Sequence, residues 1–225
     1  MNTDVKDINA VIIACSALKT HLDAAQASMG TDHPVIWIDR RLDEDPQAMK
    51  EYILQKIALI PQGTDTLLLA FGACGGCWEG VSSAYRMVIP KVDDCVTMML
   101  HCGDTAGFNL KQPGHQYIMG PEFDDFSLEG IMKKLCMKYG GPAGNSLFYT
   151  WFSDYTNVDI IDTGTYGCYE EDFVEEAQKN ADLIRAVLDY VPGSNELLEQ
   201  LVSGRWDNRF LVMGPNEPIK EEKMR

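Results

Sequence analysis

Short, continuously apolar runs alternate with longer amphipathic stretches along this chain of 225 residues. Each run is bounded by Gly, Pro or Asp, which is typical of strands that are buried on both faces of a sheet. The runs are residues 8–15, 34–39, 65–71, 86–90, 115–120, 158–164 and 209–214. Between them, apolar residues recur three or four positions apart, which predicts amphipathic helices. These predicted helices span residues 16–28, 45–63, 126–140 and 169–191.

The alternation of strand and helix predicts an α/β fold. We expect a mainly parallel, Rossmann-like sheet of about seven strands, with flanking helices and right-handed crossovers. Residues 1–215 are expected to form a single α/β domain, with two small and closely packed lobes as the alternative. The remaining residues, 216–225, are expected to form an acidic and flexible tail.

Composition and charge narrow the classes of molecule that the protein is expected to bind. Apolar residues make up 45% of the chain, which is enough for a buried core, and the formal net charge is −15. Such an acidic surface repels phosphate backbones and anionic lipids, so nucleic acid and membranes are not expected as partners. No apolar run approaches the roughly 18 residues of a membrane span, and the N-terminus lacks the basic flank of a signal peptide. We therefore expect a cytoplasmic protein that acts on a small molecule.

Cysteines lie at four of the seven predicted strand ends. In parallel sheets, ligands bind outside the carboxyl ends of the strands, so these residues are candidates for a site. They are Cys15, Cys74 with Cys77, Cys95 and Cys168. In a cytoplasmic chain, cysteines are more often thiols or metal ligands than disulfides.

Three of these cysteines suit a metal site. Cys15, Cys74 and Cys95 follow three separate strands, and three thiolates with one open position can hold zinc or part of an iron–sulfur cluster. Cys95 also begins a helical pattern, and the positive end of a helix dipole favours a thiolate. Gly75 and Gly76 would allow the backbone to approach a bound cofactor.

Other interpretations of these residues stay open. Cys74 and Cys77 form a C-x-x-C pair, which is also the arrangement of a redox-active dithiol. Buried free cysteines also occur simply as small apolar side chains. Asp94, next to Asp93, is either a helix cap or a candidate catalytic base that acts at the metal site.

A second candidate loop follows the sixth predicted strand. Asp162 ends that strand, and Thr163 and Gly164 form a tight turn before a helix. A turn of this kind can bind anionic groups through its backbone N–H groups, with Asp162 as a further candidate catalytic residue. The full G-x-G-x-x-G pattern and a Walker lysine are absent, which disfavours a nucleotide.

Four segments together resemble an uncharacterised family, the domain of unknown function 1638. They are "VIIACSAL", "LLAFGACGG", "IPKVDDC" and "VDIIDTG", and the resemblance extends over roughly residues 11–215. It implies that Cys15, Cys74 and Cys95 form a metal site that the family shares. Members are often encoded beside corrinoid-dependent methyltransferases in anaerobes, which implies a link to one-carbon metabolism and a corrinoid protein or methyltransferase as a partner.

Three functions follow as hypotheses. The first is a metal–thiolate enzyme, with zinc or an iron–sulfur cluster, that acts on a small molecule at the carboxyl edge of the sheet in methyl-transfer metabolism. The second is a non-catalytic accessory or ligand-binding partner of a corrinoid methyltransferase system. The third is a dithiol oxidoreductase that uses Cys74 and Cys77. Assembly into a homo-oligomer is compatible with each.

Overall fold

A computed structural model describes residues 8–103, 105–121 and 126–225 of the chain. The fold divides into two compact units. Unit 1 comprises Met1–Leu110 and Ser194–Arg225, and unit 2 comprises Lys111–Gly193. The chain therefore leaves unit 1 once and returns to it.

Eight strands and seven α-helices occur within these described ranges. The strands are β1 (Ala10–Cys15), β2 (Val35–Ile38), β3 (Thr66–Ala70), β4 (Arg86–Pro90), β5 (His115–Ile118), β6 (Asn157–Asp162), β7 (Val187–Pro192) and β8 (Phe210–Met213). The helices are α1 (Lys19–Met29), α2 (Pro46–Ile57), α3 (Cys95–Leu100), α4 (Leu128–Tyr139), α5 (Gly141–Trp151), α6 (Glu171–Ile184) and α7 (Glu196–Ser203). None of these helices is long and apolar enough to cross a membrane.

Unit 1 contains a five-stranded sheet in the order β2-β1-β3-β4-β8. The first four strands are parallel, and β8 pairs with β4 in the antiparallel direction. Every residue of β1 and β3 is buried, which explains why both strands appear in the sequence as unbroken apolar runs. Helix α7 packs against both α1 and the centre of the sheet.

Unit 2 contains a three-stranded parallel sheet in the order β5-β6-β7. Its core joins Phe148 of α5, Val158 of β6 and Ala181 of α6. Helices α4 and α5 form a tightly packed pair, since a Cβ atom on Gly144 would lie 2.5 Å from the Cα atom of Cys136. A glycine is needed at that crossing.

The α/β class and the mainly parallel strand arrangement are confirmed, whereas the single seven-stranded Rossmann-like sheet is not what forms. The strands divide between two sheets, and β7 is an additional strand in a stretch for which the sequence predicts helix. Helix α6 ends at Ile184 because Arg185 adopts a left-handed conformation with φ of 58°. The residues of β7 are half-exposed, so their pattern lacks the continuous apolar run that marks a buried strand.

The C-terminal stretch 216–225, expected to be a flexible acidic tail, is folded against unit 1. Ile219 and Met224 are buried. The Ile219 N–H donates to the carbonyl of Val81, and its own carbonyl accepts from the Gly80 N–H, each at 2.8 Å. Two buried apolar anchors and backbone pairing therefore hold this stretch. Its three acidic residues are also balanced by three basic ones.

Candidate functional site

Three thiols meet at the carboxyl edge of the unit 1 sheet. Cys15 is the last residue of β1, Cys74 follows β3, and Cys95 is the first residue of α3 after β4. The side chain of Cys95 lies within hydrogen-bonding reach of those of both Cys15 and Cys74. All three residues are at least 90% buried, with exposed fractions of 7–8%.

The order of the strands brings these cysteines together. β3 lies between β1 and β4, and all three strands run in the same direction. The pairing of Ala14 with Ala70 sets the ends of β1 and β3 at the same level. Three neighbouring carboxyl ends therefore present one sulfur each to the same region.

Backbone contacts hold the loop after β3 against the turn that precedes α3. The Ala73 N–H donates to the Val92 carbonyl at 2.9 Å, and the Cys74 N–H donates to the Asp93 carbonyl at 2.7 Å. A Cβ atom on Gly72 would lie only 2.5 Å from the backbone nitrogen of Asp94. The position of Cys74 relative to Cys95 is thus fixed by main chain rather than by side-chain packing.

The backbone at Cys74 is strained. Its φ angle is 42°, and the following glycines, Gly75 and Gly76, have φ angles of 65° and 87°. A left-handed conformation costs a non-glycine residue roughly 1–2 kcal/mol. Strain of this kind tends to persist where a particular side chain is needed for function.

Cys74→Gly is expected to be at least as stable as Cys74→Ala. At ordinary positions Gly is about 0.5–1 kcal/mol less stable than Ala, but here Gly also relieves the positive φ. The free energy of unfolding in urea, measured for both metal-free variants, tests this. Cys136→Gly and Cys136→Ala in α4 serve as the control pair, in which Gly is expected to be the less stable. A Cys74→Gly variant that is less stable than Cys74→Ala would contradict the assignment of strain.

The pKa values of the Cys15 and Cys95 thiols are shifted in opposite directions. The hydrogen bond from Cys95 lowers the pKa of the Cys15 thiol, assisted by the Ala17 N–H and the positive charge of Arg40, while burial and Asp43 act in the opposite direction. The contacts therefore favour a thiolate at Cys15. The Arg40 N–H also donates to the Ser16 hydroxyl at 3.0 Å, which fixes the Arg40 backbone beside the end of β1.

Cys95 is the proton donor of the cluster. Its contacts with the thiols of Cys15 and Cys74, together with burial, raise the pKa of its thiol. Deprotonation of Cys95 therefore requires compensation by a positive charge, which a bound cation would supply.

Cys77 lies beside these three cysteines, and its thiol bonds a backbone carbonyl instead of their sulfur atoms. Its thiol donates to the Ala73 carbonyl at 3.7 Å, and its backbone N–H donates to the Cys74 carbonyl at 3.4 Å. Burial, with the nearby charges of Cys74 and Asp43, raises the pKa of the Cys77 thiol. None of the seven cysteines is joined to another by a disulfide bond in this structure.

Asp94, Gly75 and Gly76 have contacts within the protein. Asp94 is the N-cap of α3, and its Oδ1 atom accepts from the Thr97 N–H at 2.8 Å. A Cβ atom on Gly75 would lie 2.9 Å from Cγ of Pro46, and one on Gly76 would lie 3.5 Å from Oε2 of Glu221. Asp94 thus caps the helix that begins with Cys95, and Gly75 lets the cysteine loop pack closely against Pro46.

The loop around Asp162, Thr163 and Gly164 belongs to unit 2. The Asp162 carboxylate accepts from the Tyr169 hydroxyl at 2.7 Å and from the Gly164 N–H at 3.1 Å. The bond from Tyr169 is the main reason that the pKa of Asp162 is lowered, and the Cys168 thiol bonds to the same carboxylate. The hydroxyls of Thr163 and Thr165 bond to each other at 2.8 Å. The carboxylate of Asp162 therefore stabilises the conformation of its own loop through these hydrogen bonds.

No preformed metal cage occurs among residues 8–103, 105–121 and 126–225, since no three His, Cys, Asp or Glu side chains there are arranged to hold an ion. The thiols of Cys15, Cys74 and Cys95 are neighbours but do not form such a group. Metal binding would displace their protons and draw the three sulfur atoms together. Thiolates alone form a donor set that suits zinc or iron–sulfur chemistry.

Sequence reasoning missed one pair of polar side chains. Nδ1 of His115 lies 2.6 Å from Oδ2 of Asp159 in unit 2. These residues are 44 positions apart, and only the pairing of β5 with β6 brings them together. The available signal was Asp159 itself, a charged residue between the apolar residues Val158 and Ile160.

Comparison with known families gives one match. The sequence model of a family described as "Protein of unknown function (DUF1638)" matches residues 37–202. Cys74 and Cys95 lie within the matched range, and Cys15 lies before it. No curated protein and no solved structure matches the chain.

Proposed function

This chain belongs to the DUF1638 family of proteins of unknown function, and we propose that it is a metal–thiolate protein that binds its metal through Cys15, Cys74 and Cys95. The observation that carries the proposal is the contact of Cys95 with both other thiols, each supplied by a different strand end. The metal is zinc, or iron within an iron–sulfur cluster.

The spacing of the thiols supports this proposal. Zinc–sulfur bonds of about 2.3 Å in a tetrahedral arrangement place neighbouring sulfur atoms about 3.8 Å apart. Cys95 already lies beside both other thiols, so metal binding would draw three neighbouring side chains together. The fixed backbone at Cys74 and Cys95 limits the entropy that the site loses when it binds a metal.

The number of sulfurs in contact supports a reactive site. Three protein ligands leave a fourth position open, whereas a structural zinc site is closed by four. Zinc in such a site would polarise a small-molecule substrate or activate a substrate thiol for methyl transfer. In the protein itself, the contacts of Cys15 favour its thiolate, and Cys95 is a thiol whose proton the metal must displace.

The proposed role is enzymatic, on a small molecule at this edge of the sheet, in the setting of corrinoid-dependent one-carbon metabolism. Support for the setting comes from the family resemblance, and support for the reaction centre comes from the thiols. Asp94 acts there as a positioning residue, because it caps the helix that presents Cys95.

Purification of the full chain without oxygen, followed by elemental analysis and an optical spectrum, tests the proposal. We expect either about one zinc per chain in a colourless protein or iron with sulfide in a brown one. Cys136→Ser, which alters a cysteine of unit 2, is expected to keep the same metal content. Protein that contains no metal, and takes up neither zinc nor iron and sulfide on reconstitution, would overturn the proposal.

A further inference from the structure

Asp159 is a buried carboxylate in the middle of the central strand of unit 2. It is the third residue of β6, and its neighbours Val158 and Ile160 are fully buried. The Asp159 side chain is only 2% exposed. A carboxylate at such a position destabilises a fold unless it is paired, so an apolar residue would serve the core better. Its partner is Nδ1 of His115, at 2.6 Å.

The imidazole of His115 is held in one orientation. The preceding Gly114 has a φ angle of 76°, and a Cβ atom there would lie 2.8 Å from the carbonyl oxygen of Asp154. The Gly114 carbonyl also accepts from the Thr156 N–H at 2.8 Å. The ring of His115 stacks on that of Tyr117 at 6.3 Å between centroids. The backbone at Gly114, the ring of Tyr117 and the carboxylate of Asp159 together fix the orientation of the imidazole.

The free nitrogen of this imidazole faces solvent. With the Asp159 carboxylate as acceptor, Nδ1 carries the hydrogen, and the lone pair of the neutral ring lies on Nε2. The side chain of His115 is 25% exposed, and within the described ranges no hydrogen bond engages Nε2. In His33 and His101, by contrast, Nε2 itself bonds a backbone carbonyl.

The same face of the sheet is acidic and partly apolar. Tyr117, Asp159 and Asp189 lie side by side across the three strands, and Asp189 is exposed. Val187 is an exposed apolar residue two positions before Asp189. The positive charge of Lys111 also lies close enough to act on the Tyr117 hydroxyl. Two carboxylates on one face disfavour an anionic ligand and favour a neutral or cationic one.

We infer that His115 and Asp159 form a proton-accepting site in unit 2, for a neutral or cationic small molecule that carries an O–H or S–H group or binds a water. The proton passes from that oxygen or sulfur to Nε2 and leaves the substrate atom with the electron pair. The resulting imidazolium is neutralised by Asp159. An oriented histidine with a buried carboxylate behind it is the arrangement of a general base.

Site-by-site carbethoxylation with diethyl pyrocarbonate, which attacks an unprotonated imidazole nitrogen, tests this inference. Mass spectrometry of the full chain is expected to show His115 as the fastest of the four histidines to react. Compared at a pH high enough for the imidazole to be neutral in both proteins, the rate at His115 in Asp159→Asn is expected to fall about tenfold, because the ring loses its fixed tautomer and orientation. Asp189→Asn is the matched control. It removes a charge from the same face without touching the imidazole, and it is expected to keep the wild-type rate.

If His115 and Asp159 have only a structural role, the opposite effect on the reaction rate is expected. In that case Asp159→Asn lowers the melting temperature, and His115 reacts at the same rate or faster because its ring is released. Should Asp159→Asn fail to fold, nitrogen-15 NMR of the wild-type imidazole decides the matter. The hydrogen is expected on Nδ1 in the neutral ring, and a hydrogen on Nε2 would overturn the inference.

Discussion

Replacement of Cys95 by Ser is expected to remove nearly all of the bound metal while the fold is retained. Cys95 is the thiol that contacts both of the others, so its loss leaves Cys15 and Cys74 without their common neighbour. A serine hydroxyl has nearly the same shape but is not a soft ligand. Loss of an outer-shell partner already weakens metal binding by roughly 10–100-fold, and loss of a direct ligand is expected to exceed that.

Metal content per folded chain measures this effect, with the melting temperature of the metal-free protein as the check on folding. Asp94 still caps α3 in the Cys95→Ser variant, so the metal-free melting temperature is expected to change little. Cys136→Ser is the matched cysteine control. A Cys95→Ser protein that keeps the wild-type metal content would show that the metal is bound elsewhere.

Gly72→Ala is expected to destabilise unit 1 strongly and to reduce metal binding as well. The added Cβ would lie 2.5 Å from the nitrogen and 2.6 Å from the Cα atom of Asp94. Main-chain atoms cannot rotate away as a flexible side chain can. The two loops must therefore separate, and the bonds of Ala73 to Val92 and of Cys74 to Asp93 weaken together. Overpacking of this kind costs about 1–3 kcal/mol, and we expect the upper end of that range.

Urea unfolding and metal content of Gly72→Ala test both parts of the prediction. Gly214→Ala is the matched control in the same unit, because its nearest neighbouring atom would be Oε2 of Glu217 at 4.0 Å, an ordinary contact. Wild-type stability together with wild-type metal content in Gly72→Ala would mean that the close approach of the two loops does not position Cys74.

The sequence predicts well where a strand lies but poorly which sheet it joins. Continuous apolar runs identify β1 and β3 because both faces of these strands are buried. Strand β7 lacks that signal, since its residues are half-exposed and only the left-handed Arg185 and Ala186 separate it from α6. The division into two sheets depends on long-range pairing, which a local pattern does not encode.

For the site, the sequence identifies strand ends, and the structure adds their neighbours. Cys15, Cys74 and Cys95 are in contact because their strands are adjacent and parallel; their role as metal ligands stays a prediction. The approach of Gly72 to Asp94 and the pairing of His115 with Asp159 involve residues far apart in the chain. Register and loop conformation determine both contacts, and neither is visible in composition or spacing.

The way in which the chain leaves and re-enters unit 1 has a consequence for its modular organisation. The Leu110 N–H bonds the Thr97 hydroxyl at 3.5 Å, and the Ser194 N–H bonds the Met99 carbonyl at 2.9 Å. The exit and the return thus lie two residues apart on one short helix, which is the geometry of a domain insertion. A short loop is long enough to join these two points. Unit 2 therefore has the topology of a segment inserted into a thiol-bearing α/β scaffold, and we expect the two units to be separable as modules in protein engineering.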